Sequence, residues 1–367
     1  MRRPLLLSAL TMVACFSCGD PDTSMIGQLL IAPAVNPEVG ILIEVNNLNV
    51  TMTDETTVLG TGNGYVFETN NDFQTFQIGG PYSNDLTNIA LMTDDVIVSY
   101  AIAYGSYGNP LTIARTPNKG GSWQEELFPP IGDGMGSYET LKIQFTSANE
   151  GFLLAINSSY STPSNAVVFK VNFDQVEAEE VGRITGFVPA EMKFLDANVG
   201  YMLLHSYLLN NNLQNTFISK TENGGVTWST PTVVSPTTRL LLWEVIGATQ
   251  VMIYEANSSL TYLSTNSGSS WTQVSDDIHM TDATFLDTAT GYSISLNGTI
   301  LKTINGGATW NEVGFIVPPN YLNDFDKIHF YNESTGIVHG NNSLYRTNDG
   351  GKTWKILIFP FEYVTGP

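Results

Sequence analysis

Polar and apolar residues alternate along most of this chain in runs of four to six, broken by short clusters of Gly, Asn, Asp, Ser and Thr. The stretch KIHFYNESTGIVHGNNSLYRTNDGGKTWKIL, residues 327–357, is representative. A period of two with turn residues between the runs predicts short strands joined by hairpins. No segment sustains a helical period. Phe145, Phe194, Phe285 and Phe330 are each followed six residues later by a glycine, at Gly151, Gly200, Gly291 and Gly336. Each of these pairs opens a set of about four predicted strands.

A second pattern falls between the third and fourth strand of each set. TPNKGGSW begins at Thr116, TENGGVTW at Thr221, STNSGSSW at Ser264, TINGGATW at Thr303 and TNDGGKTW at Thr347, with a weaker form, TNNDFQTF, at Thr69. A lone Gly-rich loop carrying Lys352 would raise the question of a phosphate cradle. Phosphate loops do not recur, so a nucleotide is not expected, and the stretch reads as a repeated turn. Asn118, Asn223, Asn266, Asn305 and Asp349 at its third position can bond the local backbone and tolerate a left-handed conformation. Glycine admits the positive φ of a tight hairpin. Trp123, Trp228, Trp271, Trp310 and Trp354 close the copies and supply an apolar cover. The copies start 47, 105, 43, 39 and 44 residues apart. The long interval calls for a degenerate copy, and VVFKVNFDQVE, Val167 to Glu177, stands in the right place with Asn172 and Asp174. Seven units of about 45 residues with four strands each predict an all-β chain, a seven-bladed β-propeller of four-stranded antiparallel blades over residues 41–367.

Each copy resembles the Asp-box of sialidase-type (BNR) repeat proteins, [ST]-x-[DN]-x-G-x-[ST]-W. Together with the Phe-x5-Gly strand it resembles the Ycf48-like photosystem II assembly factors over roughly residues 40–360. The resemblance implies fold far more than activity, because one scaffold serves many functions. It also implies that the first strand of each blade lines a central channel. Alternation then points the residues one and three before each Phe into that channel: Lys142 and Gln144, Glu191 and Lys193, Asp282 and Thr284, Lys327 and His329. Looser alignment adds Leu242 and Glu244, and Asn88 and Ala90. A mixed-charge ring of this kind reads either as a polar ligand site at the channel mouth or as a solvated channel whose charges pair across blades.

The chemistry of an enzyme is thinly represented. A sialidase needs an arginine cluster for its carboxylate substrate. Beyond the first segment only Arg115, Arg183, Arg239 and Arg346 remain, and the RIP element of that family is missing. Arg115 and Arg346 precede box threonines where Lys220 and Lys302 stand in other blades, which points to structure. Another glycoside hydrolase would need two carboxylates, for which Glu191, Glu244 and Asp282 are the candidates. His205, His279, His329 and His339 are dispersed, so no catalytic metal is expected. Calcium could suit the acidic loop Ser275 to Asp282.

Composition changes the picture at the ends and on the surface. MRRPLLLSALTMVACFSCGD carries Arg2 and Arg3, then an apolar run too short to span a bilayer as a retained helix. It resembles a bacterial lipoprotein signal over residues 1–18, with Cys18 or Cys15 as the lipidated residue, followed by a polar linker and possible closing strand over 19–40. An ordinary cleaved signal or a Cys15–Cys18 disulfide remain alternatives. Either way the body has no cysteine and folds without disulfides in an exported location. The chain carries 15 basic and 35 acidic residues, a net charge of −20; losing Arg2 and Arg3 leaves 13 basic residues. Such a surface repels nucleic acid and anionic lipid. The expected partner is an envelope protein or glycan, with the membrane reached through the lipid and with insertions such as residues 205–216 shaping the binding face.

Overall fold

The structure, a computed structural model, describes residues 49–52, 54–62, 65–69, 77–79, 88–91, 97–101, 111–116, 122, 124–128, 137–147, 149–159, 162–207, 213–235, 242–254, 260–275, 279–317, 325–340 and 343–357. These form seven four-stranded antiparallel sheets in chain order. Blade one holds β1 (Asn49–Met52), β2 (Val58–Gly62), β3 (Tyr65–Thr69) and β4 (Gln77–Gly79). Blade two holds β5 (Asn88–Leu91), β6 (Ile97–Ala101), β7 (Leu111–Thr116) and β8 (Gln124–Phe128). Blade three holds β9 (Ser137–Phe145), β10 (Glu150–Ser159), β11 (Thr162–Asn172) and β12 (Glu177–Thr185). Blade four holds β13 (Phe187–Phe194), β14 (Gly200–Tyr207), β15 (Leu213–Thr221) and β16 (Thr232–Ser235). Blade five holds β17 (Leu242–Val245), β18 (Val251–Tyr254), β19 (Thr261–Ser264) and β20 (Thr272–Ser275). Blade six holds β21 (Met280–Phe285), β22 (Gly291–Ser295), β23 (Thr299–Thr303) and β24 (Asn311–Phe315), and blade seven β25 (Phe325–Phe330), β26 (Gly336–Gly340), β27 (Ser343–Thr347) and β28 (Lys355–Leu357). The degenerate unit inferred from the long interval is therefore real: it is the β11–β12 turn. Residues 1–48, with Cys15, Cys18 and the predicted closing strand, lie outside the described residues, as do Asn118 and Trp123.

The Phe-x5-Gly signature has a packing cause. Gly200 pairs with Phe194 across the first hairpin of blade four, and a Cβ there would sit 2.7 Å from the Phe194 ring. Gly336 bears the same relation to Phe330. The ring is thereby free to lie flat against the preceding blade: Phe194 stacks on Phe152 of blade three at 3.7 Å, and Phe330 on Tyr292 of blade six at 3.6 Å. The box indole meets the same ring edge-on, Trp228 on Phe194 and Trp354 on Phe330. Apolar clusters of this kind span blades three and four, four and five, five and six, and six and seven. Each large buried side chain contributes about 1.5–3 kcal/mol of transfer free energy.

The box is a self-bonded turn. In the copy at 303, Thr303 Oγ1 accepts from the amides of Asn305 and Gly307 and donates to Asn305 Oδ1, which also accepts from Thr309 N at 2.9 Å. Asp349 does the same for Thr353. The positive φ falls at the fourth and fifth positions, 67° at Gly306 and 89° at Gly307, and not at the Asn. The third residue is a cap, and the left-handed conformation expected of it belongs to its two successors. The turn then docks on the first hairpin of its own blade, Gly306 N donating to Ala289 O and Gly350 N to Ser334 O. The degenerate turn keeps that contact through Phe173 N and Asn149 O.

Contacts run from blade two through seven and return to blade one. Phe128 of blade two packs on Phe173 of blade three. Arg346, at the end of β27, donates to the Glu55 carbonyl in the first hairpin of blade one, and Asn332 Nδ2 donates to Glu55 Oε1 at 2.9 Å. Lys302, at the equivalent place in blade six, reaches Glu333 of blade seven at 2.9 Å. The position before the box threonine thus crosses to the next blade at the ring's seam as Lys302 does between blades six and seven, whereas Lys220 of blade four bonds Glu222 of its own blade.

Candidate functional site

First strands of neighbouring blades approach one another, β9 with β13, β17 with β21, β21 with β25 and β25 with β1. In a radial arrangement the strands nearest the axis are the ones that meet, so these line the channel. Their side chains alternate as expected: Ile143, Phe145, Met192 and Phe194 are buried, while Lys142, Gln144, Glu191 and Lys193 are partly exposed.

Four of these strands share an irregularity. Leu141, Ala190, Thr281 and Asp326 are extra residues in the pairing of β9, β13, β21 and β25 with their second strands. Such bulges bend a strand and re-aim the next side chain. The residues that follow are Lys142, Glu191, Asp282 and Lys327. The first strand of blade five pairs without a bulge, and there Leu242 takes the corresponding place with Glu244 two residues on.

The charged residues meet in pairs across blade boundaries. Lys142 of blade three bonds Glu191 of blade four. Lys193 of blade four bonds Glu244 of blade five at 2.9 Å and the Trp243 carbonyl at 2.7 Å. Asp282 of blade six meets Lys327 of blade seven at 3.3 Å and accepts from Ile328 N at 2.9 Å. Gln144 is committed to the next blade's backbone, donating to Phe194 O and accepting from Phe194 N, both at 2.7 Å. Trp243, which sequence reasoning passed over, donates its indole N–H to Glu191 Oε2 at 2.9 Å.

These environments drive the three carboxylates apart. Burial alone would raise Glu191, but Lys142, Lys193 and the Trp243 indole hold it below the ordinary range. Burial pushes Glu244 up against the opposing pull of Lys193, with Asp282 adding a like charge. Burial likewise raises Asp282, opposed by Lys327 and the Ile328 amide. Burial would lower Lys327, yet Asp282, Glu244 and Glu191 hold it above its ordinary value. Its side chain stays 64 % accessible to water while protein surrounds it, as befits a group in a wet channel. Burial lowers His329.

The four histidines stand on separate elements, His205 on β14, His279 before β21, His329 on β25 and His339 on β26. Among the described residues no three His, Cys, Asp or Glu side chains gather to hold a metal. Of the acidic loop considered for calcium, residues 276–278 lie outside the described residues, and Asp282 faces Lys327. Arg183 makes two 2.7 Å bonds to Glu180 on its own strand. Lys220 bonds Glu222, and Arg346 serves the seam.

The fold and this channel define a BNR-type β-propeller. Residues 263–360 match the family model described as photosynthesis system II assembly factor YCF48. No curated protein matches the chain by sequence. Among solved structures it is similar to YCF48 bound to D1 peptide, at 16 % identity over 87 % of this chain and 97 % of that one, with a TM-score of 0.55. YCF48 from Cyanidioschyzon merolae gives 15 % identity, 82 % and 94 % coverage and a TM-score of 0.54. A polysaccharide lyase of family PL25, an ulvan lyase bound to -[GlcA(1-4)Rha3S]-, gives 10 % identity, 85 % and 95 % coverage and a TM-score of 0.50. The chain is thus a Ycf48-like propeller in fold.

Proposed function

We propose that this chain is an exported binding module, held at a bacterial envelope membrane by a lipid on Cys18 or Cys15, that offers a rigid propeller to a protein partner. The observation that carries the reading is the fold shared with a propeller that holds a peptide. Saturation of the channel supports it: each lysine and carboxylate named above is bonded across a blade boundary, which favours rigidity. The acidic surface favours a basic partner and steers its approach. In the test, the mature chain is immobilised and exposed to extract of its own envelope and, separately, to a glycan panel. Salt-sensitive retention of one protein with no glycan turnover is expected; retention of nothing overturns the reading.

A second reading has a specific observation behind it. Three carboxylates line the channel in unlike surroundings, Glu191 lowered against its burial by Lys142, Lys193 and the Trp243 indole and Asp282 and Glu244 raised by burial, and a glycoside hydrolase likewise sets its two carboxyl groups apart by environment. On that reading, glycan turnover exists and is lost in Glu191→Gln and Asp282→Asn proteins that remain folded.

A further inference from the structure

The third blade departs from its neighbours in one way that the channel does not explain. Its box has lost the glycines and the tryptophan, and its fourth strand has lengthened. β12 has nine residues, against four in β16 and β20, five in β24 and three in β28. It is the last strand of its sheet and pairs with β11 alone. The pairing carries one bulge, at Val181, and on either side of it every second residue of the edge turns its N–H and C=O away from the sheet, a template for another extended chain.

The side chains on this edge select what can pair with it. Glu177 and Glu179 are exposed and lie on one face by alternation. Lys170, opposite Glu179 in the ladder, is committed to Glu150 on β10 at 3.1 Å. Among the described residues neither Glu177 nor Glu179 has an ion-pair partner. A second copy would bring the same acidic edge and be repelled. A basic extended segment would be attracted and could pair its backbone at once.

We infer that β12 is the protein-docking edge of this module, taking an extended basic peptide of the partner as a fifth strand of blade three. The inference rests on the binding-module reading and names the class of partner. The affinity comes from main-chain bonds and the selection from side-chain charge, as in other strand additions.

The probe is a nine-residue peptide alternating lysine and threonine, with an alternately N-methylated peptide of the same charge and a glutamate–threonine peptide as comparators. The lysine peptide is expected to bind and to protect the amides of residues 177–185 from hydrogen exchange. The N-methylated peptide should not bind, because it lacks the donors. The double variant Glu177→Lys, Glu179→Lys, altered only at exposed positions, should lose about tenfold or more in affinity and gain the glutamate peptide. Failure of the lysine peptide to bind, equal binding of the N-methylated peptide, or protection elsewhere overturns the inference. If the double variant still retains the envelope partner of the immobilised chain unchanged, the edge is refuted while the binding module stands.

Discussion

At the scale of single residues, the channel carboxylates are coupled to stability with opposite signs. Glu191 has a folded pKa below its unfolded value, so its contribution is present above the unfolded pKa and disappears as pH falls through the folded one. Asp282 has a folded pKa above its unfolded value, so its ionisation costs stability as pH rises through that interval. Unfolding free energies from urea titrations across the acidic range should therefore diverge. The deficit of Glu191→Gln relative to the unmodified chain should shrink as pH falls, whereas Asp282→Asn should gain relative to it as pH rises. Parallel slopes would mean the two sites do not differ in this way. The direction in which these side chains point was legible in the sequence, because alternation fixes the face of a strand once Phe194 and Phe285 are recognised as core. Their partners were not. Gln144 bonds Phe194, fifty residues on, and Trp243 bonds Glu191 from the next blade, and only closure of the ring brings such positions together.

At the scale of elements, the box turn does two tasks, and only one could be read from the chain. Its internal bonds span a few residues, so composition alone announces them. Its outward task is to dock on the preceding blade's fourth strand. Thr232 of β16 donates to the Gly268 carbonyl of blade five at 2.8 Å. In β12 and β24 the approach is closer still, and a Cβ at Gly182 or Gly314 would overlap the carbonyl oxygen of Gly225 or Gly351. Because backbone faces backbone there, no side-chain rotation can relieve a substitution. Gly314→Val is expected to destabilise the fold by about 1–3 kcal/mol or more, measured as a lower urea midpoint. An unchanged midpoint would show that blades six and seven are not held through this contact. The same element explains why blade three was hard to read. With no Gly or Trp at Phe173 to Val176, the usual punctuation is missing, and the length of β12 leaves no mark in composition. Asp196, Asp287 and Asn332, two residues after the signature Phe, did leave one. Each caps the first hairpin by accepting amides two and three residues on, from Val199, Thr290 and Thr335 among others.

For the whole molecule, the decisive question is how a ring assembled from consecutive strands stays shut. Among the described residues each blade is built from one unbroken segment, so blades one and seven meet as neighbours and share no sheet. The seam then depends on contacts that any two blades make, and Arg346 is the clearest of them. It is 8 % exposed, and its guanidinium reaches the Glu55 carbonyl in a hairpin that Asp54 fixes by accepting the amides of Thr56 and Thr57. Those bonds, the Thr57 contact foremost, hold Asp54 down at about 2, so the hairpin keeps its shape through the mildly acidic range. Removing the guanidinium strands a carbonyl and breaks a charge-assisted bond, a loss of about 1.5–3 kcal/mol. Arg346→Met should therefore unfold at lower urea and expose the Thr56 and Thr57 amides to exchange together with blade seven, leaving blades four and five protected. Arg346→Lys should recover part of the loss, since Lys302 already spans the equivalent boundary to Glu333. Uniform loss of protection in Arg346→Met would instead mean that the ring opens as one unit, with no weaker place at its seam.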